Sequence, residues 1–417
     1  MRKLLETTAQ RAITYLEGLD SRSVAPPPEA VAAVAELDKP LPAGPTPLAT
    51  NWLVQAWDQN SALANVTPAT ARVEAVALRW LLDLLGLPAT SAGAFVTGGT
   101  MANFASLAAA RHAVLARAGW NVEADGLIGG PPVQVIVGAE AHPTLFKSLG
   151  LLGLGRNRVS RVPVDGQGRM RADALPTITA PTIICTQAGN LNTGAFDPIG
   201  EICERVAGSG AWVHVDGAIG LWAAGVPSLR HLLPGVAGAD SWSTDAHKWL
   251  NVPKDSGLAF VRDGEALRAA MAITAEYLPS ESAARNPCDY TPELSRRARG
   301  VEVWAALRSL GRSGFEDLIN GCVGHAQRFA AGLRAAGFEI LNDVVLNQVL
   351  VSFGDAGRTN RVTTAVQQDG TCWCGPTVWQ GRTAMRISVS SWATTKADVE
   401  KSLEAIIRVA RATPQAQ

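Results

Sequence analysis

Five short stretches of this chain carry residues that could do chemistry, and a lysine stands in one of them. In Ser241-Trp-Ser-Thr-Asp-Ala-His-Lys-Trp-Leu250, Lys248 lies between an apparent strand and a second apolar run, Gly257-Leu-Ala-Phe-Val261. A lysine at the rim of a packed core is seldom without a partner, and burial drives it toward the neutral amine. A neutral amine is a nucleophile that forms an imine with an aldehyde. Asp216, in Val213-His-Val-Asp-Gly-Ala218, ends a run that reads as a central strand, and α/β sheets bind ligands at strand carboxyl ends. Such an acid is either a hydrogen-bonded buried carboxylate or the partner of a cation. Paired with a pyridine nitrogen, it would keep that ring protonated as an electron sink.

The other stretches are weaker alone. Gly98-Gly99-Thr100 joins a strand to a helix. Its glycines permit close approach, and the helix start offers N–H groups to a phosphate; a plain turn would read the same way. His142, in Gly138-Ala-Glu-Ala-His-Pro143, could stack on a flat cofactor or be structural. His247 could reach a phosphate or a substrate carboxylate, and His214 is as readily a satisfied core histidine. Cys185–Asp197, with Asn190 inside it, is a polar, glycine-rich loop after a strand. Taken in order, a phosphate turn, a histidine, an acid and a lysine at the strand ends of one sheet point to pyridoxal phosphate held by Lys248.

Positioning these residues requires an alternation of strands and helices. Apolar runs at Gly93–Thr97, Val133–Val137, Thr182–Cys185, Trp212–Val215, Asp240–Ser243 and Gly257–Val261 are separated by helical patterns such as 102–116, 144–152 and 199–207. That order gives a mostly parallel sheet covered on both faces. Before it, residues 1 to about 50 read as a helix and a proline-rich strap, and 51–87 as helical. After Tyr290 come helices over 299–309 and 314–336, strands at Gln348–Phe353, Thr371–Cys374 and Ala384–Val389, and a closing helix over 396–413. This is a smaller α+β unit. The expected division is 1–55 as a helix and strap, 56–300 as the large domain and 301–417 as the small domain.

Composition bounds the rest. The 417 residues are 47% hydrophobic and 18% charged, with 37 basic and 37 acidic side chains. A net charge of zero argues against bulk nucleic-acid or anionic-membrane binding. No run approaches a membrane span, and the start lacks the apolar core of a signal peptide. The six cysteines include Cys372 and Cys374, which would share one strand face, but no second close pair completes a metal site. Structural thiols in a reducing cytoplasm are the expectation.

Phe95-Val-Thr-Gly-Gly-Thr-Met-Ala-Asn103, Gln187-Ala-Gly-Asn-Leu-Asn-Thr-Gly-Ala-Phe-Asp197, His214-Val-Asp-Gly-Ala218 and Thr244-Asp-Ala-His-Lys-Trp249 together resemble the group II pyridoxal-phosphate-dependent amino acid decarboxylases. Pro292–Gly300 and Ala384–Val389 extend the match, which covers roughly 50–410. The resemblance implies fold type I of the pyridoxal-phosphate-dependent transferases, with a mostly parallel seven-stranded sheet in the large domain. It implies that Lys248 forms the internal aldimine, Asp216 pairs with the ring nitrogen, and His142 and Ala218 flank the ring. Gly99, Thr100, His247 and Asn190 join the cofactor site, and Arg386 binds a substrate carboxylate. Homodimers with interfacial sites, and an amino acid decarboxylated to its amine, are also implied. The family's tyrosine acid matches Tyr290 first and Tyr277 second.

This chain departs from the family in a short 277–290 loop and a reduced stretch between Leu37 and Asn51. It also has Lys254 where relatives carry an aromatic residue. Lys254 could pair with an acidic substrate group or face solvent. Trp52, Trp57 and Trp379 could line an apolar pocket, and the leaning is to aromatic or apolar substrates. Aldolase, carbon–carbon lyase, aminotransferase or oxidative deaminase chemistry on the same cofactor is the alternative, and a non-catalytic relative the third class.

Overall fold

The computed structural model describes residues 2–18, 32–33, 48–179, 181–273 and 285–415, and within them two sheets share one apolar core. The larger comprises β1 (Ala92–Val96), β2 (Gln134–Gly138), β3 (Val159–Val162), β4 (Thr182–Gln187), β5 (Trp212–Asp216), β6 (Ser241–Asp245) and β7 (Gly257–Val261). Their order is β1-β7-β6-β5-β4-β2-β3. β2 to β6 pair in parallel, and β7 alone is reversed, antiparallel to both β6 and β1. This is the mostly parallel seven-stranded sheet that was expected. β5, β6 and β7 are buried at every position, as helices on both faces require.

Helices lie both before β1 and directly after it. α1 (Arg2–Glu17) packs on α2 (Leu48–Trp57), and α3 (Pro68–Leu85) buries most of its length. The continuous helical pattern expected over 51–87 is interrupted between Trp57 and Pro68, because a residue before proline is driven out of the helical region. α3 then ends at Gly86, whose φ of 64° forms a left-handed cap. α4 (Gly99–Arg117) crosses one sheet face, its alanines letting it sit close to β6 and β7. α5 (Pro143–Leu151), α6 (Ile199–Arg205) and α7 (Gly264–Met271) follow later strands.

α8 (Arg299–Ala335) runs from the large sheet to the small one, broken at Gly311, where φ is 61°. The break matches the two helices read from sequence. The second sheet, β8 (Glu339–Ile340), β9 (Gln348–Ser352), β10 (Gly375–Trp379) and β11 (Arg382–Ser388), is antiparallel in the order β10-β11-β9-β8. It packs with α8, α9 (Ala356–Asp369) and α10 (Lys396–Ala412). One strand was misplaced: Thr371–Cys374 is not a strand, and β10 starts after it. The Cys374 carbonyl accepts from the Gln367 side chain instead of a ladder partner. Cys372 and Cys374 therefore do not share a strand face, and all six cysteines are free. Among the described residues no helix is long and apolar enough to cross a membrane, and no His, Cys, Asp or Glu group could hold a metal.

Candidate active site

Where β1, β4, β5 and β6 end, a cavity of about 560 Å³ opens against the edge of the second sheet. Gly99, Thr100, His142, Asp216, Ala218, His247, Lys248 and Arg386 all line it. Seven of these come from the loops and turns of the large sheet, whose parallel strands bring them to one edge by their carboxyl ends, and Arg386 comes from the second sheet.

Lys248 lies in the turn after β6, with Nζ 3.0 Å from Asp245 Oδ2. Its side chain is 40% exposed, so it is less buried than a core rim implied, and the partner expected of it is the Asp245 carboxylate. Asp245 itself is buried, and among the described residues its Oδ1 has no hydrogen-bond partner. His247 Nδ1 accepts from the Ser256 N–H at 3.4 Å, and burial pushes this histidine down from its ordinary pKa.

Asp216 is buried at the end of β5. Its Oδ2 accepts from Asn103 Nδ2 at 3.0 Å and its Oδ1 from the Ala218 N–H at 3.3 Å. Asn103 Oδ1 faces His214 Nε2 at 2.9 Å and Ser243 Oγ at 2.5 Å. His214 is wholly buried, and burial pushes its pKa down to about 3. It is thus a satisfied core histidine, one layer beneath the cavity.

His142 caps α5: its Nδ1 accepts from the Thr144 N–H at 3.3 Å and lies 2.7 Å from Thr144 Oγ1. Burial lowers its pKa; the nearby Asp216 charge opposes that, while Lys248 and Arg386 add to it. Gly99 opens α4, and a Cβ there would stand 2.8 Å from Asp245 Oδ2, so the helix can begin this close to β6 only with glycine. The start of a 19-residue helix at a cavity wall is an anion site. Arg386, on β11, is half-buried and donates to the Leu191 carbonyl at 3.0 Å.

An amine able to form an imine, a buried carboxylate, a histidine and a glycine-opened helix start are the groups pyridoxal phosphate needs. The residues around the cavity fit it.

Three expected residues stand outside. Asn190 turns into its own loop, accepting from the Asn192 and Thr193 N–H groups and donating to Glu140. Tyr290 ends a short helical turn, its ring 4.2 Å from the Arg285 guanidinium, and does not line the cavity. Tyr277 lies outside the described residues. Lys254 is exposed and does not line the cavity, although its charge acts on His247, and Trp52, Trp57 and Trp379 do not line it either. Sequence reasoning missed Asp245 and Asn103. Asp245 stood in a quoted motif as a charged residue closing an apolar run, the signal that picked out Asp216.

Comparison with known proteins gives the same direction. Residues 36–354 match the family model described as the pyridoxal-dependent decarboxylase conserved domain. The chain is 29% identical over 366 residues to tryptophan decarboxylase 1 of Oryza sativa subsp. japonica, covering 78% of this chain and 70% of that protein. It is 30% identical over 386 residues to an L-2,4-diaminobutyrate decarboxylase of Rhizobium meliloti (strain 1021), covering 87% and 73%. The crystal structure of Oryza sativa TDC with PLP and tryptamine matches its fold with a TM-score of 0.83 at 22% identity, over 99% of this chain and 97% of that one.

Proposed function

The chain belongs to the pyridoxal-dependent decarboxylase family and is a carboxy-lyase that uses pyridoxal phosphate; from that premise we propose that it releases the α-carboxylate of an L-amino acid as CO₂, leaving the amine. The observation that carries this reading is the meeting of Lys248, Asp216, His142 and the α4 start at one cavity. When bound, pyridoxal phosphate supplies a sink for the electron pair left as the Cα–CO₂⁻ bond breaks.

In this reading Lys248 Nζ is the attachment point, and Asp245 Oδ2 holds that amine toward the cavity. Asp216 keeps the proton on the ring nitrogen. The N–H groups of Gly99 and Thr100, with His247 nearby, hold the phosphate, and His142 and Ala218 bracket the ring. Arg386 takes the substrate carboxylate, since a guanidinium in a partly desolvated wall binds a carboxylate as a fork. Tyr290 does not line the cavity within this chain, and Lys248 Nζ, at the cavity wall, would return a proton to Cα.

The substrate side chain is apolar or aromatic. Met101, Leu191 and Ile219 line the cavity, and among the described residues Lys248 and Arg386 are its only lysine and arginine. Exposed Lys254 gives an acidic side chain no support. The domain boundary at 300 is supported by the two sheets falling on either side of the start of α8, whereas the one at 55 falls inside α2. A homodimer is supported by exposed Leu4, Ile13 and Leu16 along α1, and a cytoplasmic location by six free thiols.

The test is incubation of the cofactor-loaded protein with a panel of amino acids and identification of products by mass. CO₂ with a stoichiometric amine is expected. An aldehyde or keto acid as the main product would move the reaction to the aldolase, aminotransferase or oxidative deaminase alternatives.

A further inference from the structure

Asn103 is fully buried on α4, near its start. Asparagine is a poor helix-interior residue, and a buried amide is costly unless bonded. This one is bonded on both ends, and its neighbours leave one arrangement open. Nδ2 faces Asp216 Oδ2 at 3.0 Å, an acceptor. Oδ1 faces Ser243 Oγ at 2.5 Å and His214 Nε2 at 2.9 Å, both able to donate. A flipped amide would set its oxygen against the Asp216 carboxylate, which can only accept, so the bond to Asp216 fixes the orientation.

The histidine is fixed in turn from behind. Trp212 Nε1 donates to Ser241 Oγ at 2.8 Å, so the hydroxyl proton is free to go to His214 Nδ1, 2.9 Å away. His214, uncharged because it is buried, then carries its proton on Nε2, pointing at Asn103. The chain of donors runs Trp212, Ser241, His214, Asn103 and ends on the acceptor Asp216, all five at least nine-tenths buried, with each group in one orientation.

We propose that Asn103 is a positioning residue for Asp216, locked by His214 and Ser243, so that the carboxylate is held as an acceptor toward the ring nitrogen of the bound cofactor. This rests on the reading of Asp216 given above. Asn103 touches neither cofactor nor substrate in that reading; it acts through the acid, by supplying the donor that fixes one oxygen while the other serves the cavity. Ser243 and His214 matter only through Asn103. A network with one partner missing is worth less than its parts, because the freed buried group then lacks a bond.

The experiment uses the pyridoxal-phosphate-loaded protein and four variants beside an Asp216→Ala reference: Asn103→Leu, Asn103→Asp, His214→Phe and His214→Gln. Readouts are cofactor affinity, the visible absorbance of the bound cofactor, and kcat and KM with pyridoxal phosphate or its ring-N-methylated analogue. Asn103→Leu should bind the cofactor roughly tenfold or more weakly, the worth of a hydrogen bond to a charged group. Its absorbance should move toward that of Asp216→Ala, with kcat lower and KM little changed. The methylated analogue, whose ring nitrogen is permanently positive, should restore much of kcat. Asn103→Asp, which sets a second carboxylate against Asp216, should show the same spectral change. His214→Phe should fall between Asn103→Leu and wild type, and His214→Gln, which keeps a donor, should lie near wild type. If Asn103→Leu does not fold, the other three carry the test. The proposal is overturned if the Asn103 and His214 variants keep wild-type affinity and spectrum, or if their losses are indifferent to the methylated analogue. Should Asp216→Ala itself keep the wild-type spectrum, the reading of Asp216 fails and takes this one with it; a change in Asp216→Ala alone sinks only the role of Asn103.

Discussion

Donation from Ser241 Oγ to His214 Nδ1 requires an uncharged His214, and the acid dependence of stability measures that directly. The imidazole is fully buried, bonded at both nitrogens, and pushed down to about 3. In the unfolded chain the same ring titrates near its ordinary value of about 6.5. Between those two values the unfolded state holds one more proton than the folded state. The contribution of His214 is therefore complete above about pH 6.5 and lost at about 1.4 kcal/mol per pH unit on the way down to about pH 3. From about pH 7.5 to about pH 5 the loss is roughly 2 kcal/mol. Asp197 acts with the opposite sign: burial raises its carboxyl to about 7, so the folded state holds the extra proton below that value and gains stability in acid. The two slopes oppose each other, so the informative quantity is the difference from His214→Phe, which retains Asp197 and the other shifted groups. Urea unfolding of the cofactor-free proteins at both pH values should show the wild type losing roughly 2 kcal/mol relative to the variant. A difference constant to within about 0.5 kcal/mol would mean the folded chain carries a protonated His214, and the donor order argued above would be wrong.

Three further outcomes follow from the geometry. Lys254→Ala should leave kcat/KM within about twofold, since the side chain is exposed and off the cavity; a tenfold loss would return Lys254 to substrate recognition. Glu74→Ala removes the carboxylate 2.7 Å from Arg296 Nη1, where both side chains are almost wholly buried, and should cost roughly 3–5 kcal/mol in chemical denaturation because the guanidinium is stranded. A loss below about 1 kcal/mol would show that the Ser61 and Phe95 carbonyls suffice for Arg296. Arg386→Lys keeps the charge but not the fork, and should raise KM about tenfold with a smaller change in kcat; an unchanged KM would remove Arg386 from carboxylate binding.

The parts of this site that are legible in sequence are those that end strands. A buried strand is a short apolar run, so an acid or lysine just beyond it, such as Asp216 or Lys248, stands out by contrast. Asn103 does not, because a polar residue inside a helical pattern looks like any solvent-facing position. The reason for it lies 111 and 113 residues away, at His214 and Asp216. The Glu74–Arg296 pair, 222 residues apart, is hidden for the same reason. Lys254 shows the opposite error. Six positions after Lys248 it looks close to the site, but the chain turns at Asn251, where φ is 54°, and the lysine faces solvent. Thr371–Cys374 has the composition of a strand and no partner to pair with, since the ladder opposite β11 begins at Gly375.

One reversed strand explains why Lys248 and the α4 turn meet. Had β7 been parallel to β6, the chain after Lys248 would have needed a long crossover before pairing, and the lysine turn would lead away from the sheet edge. Running antiparallel, β7 returns at once and pairs on both sides. Gly257 stands opposite Asp245 of β6 and opposite Val96 of β1. A Cβ on Gly257 would lie 2.5 Å from the Gly98 backbone, so this strand start and the turn into α4 are in direct contact. On the other side of that turn, Gly99 leaves room for Asp245, whose carboxylate holds Lys248. Amine and anion site are thus joined through three glycines and one carboxylate. The spacing between them is set by the contact of Gly257 with the Gly98 backbone, which a side chain at Gly257 would force apart.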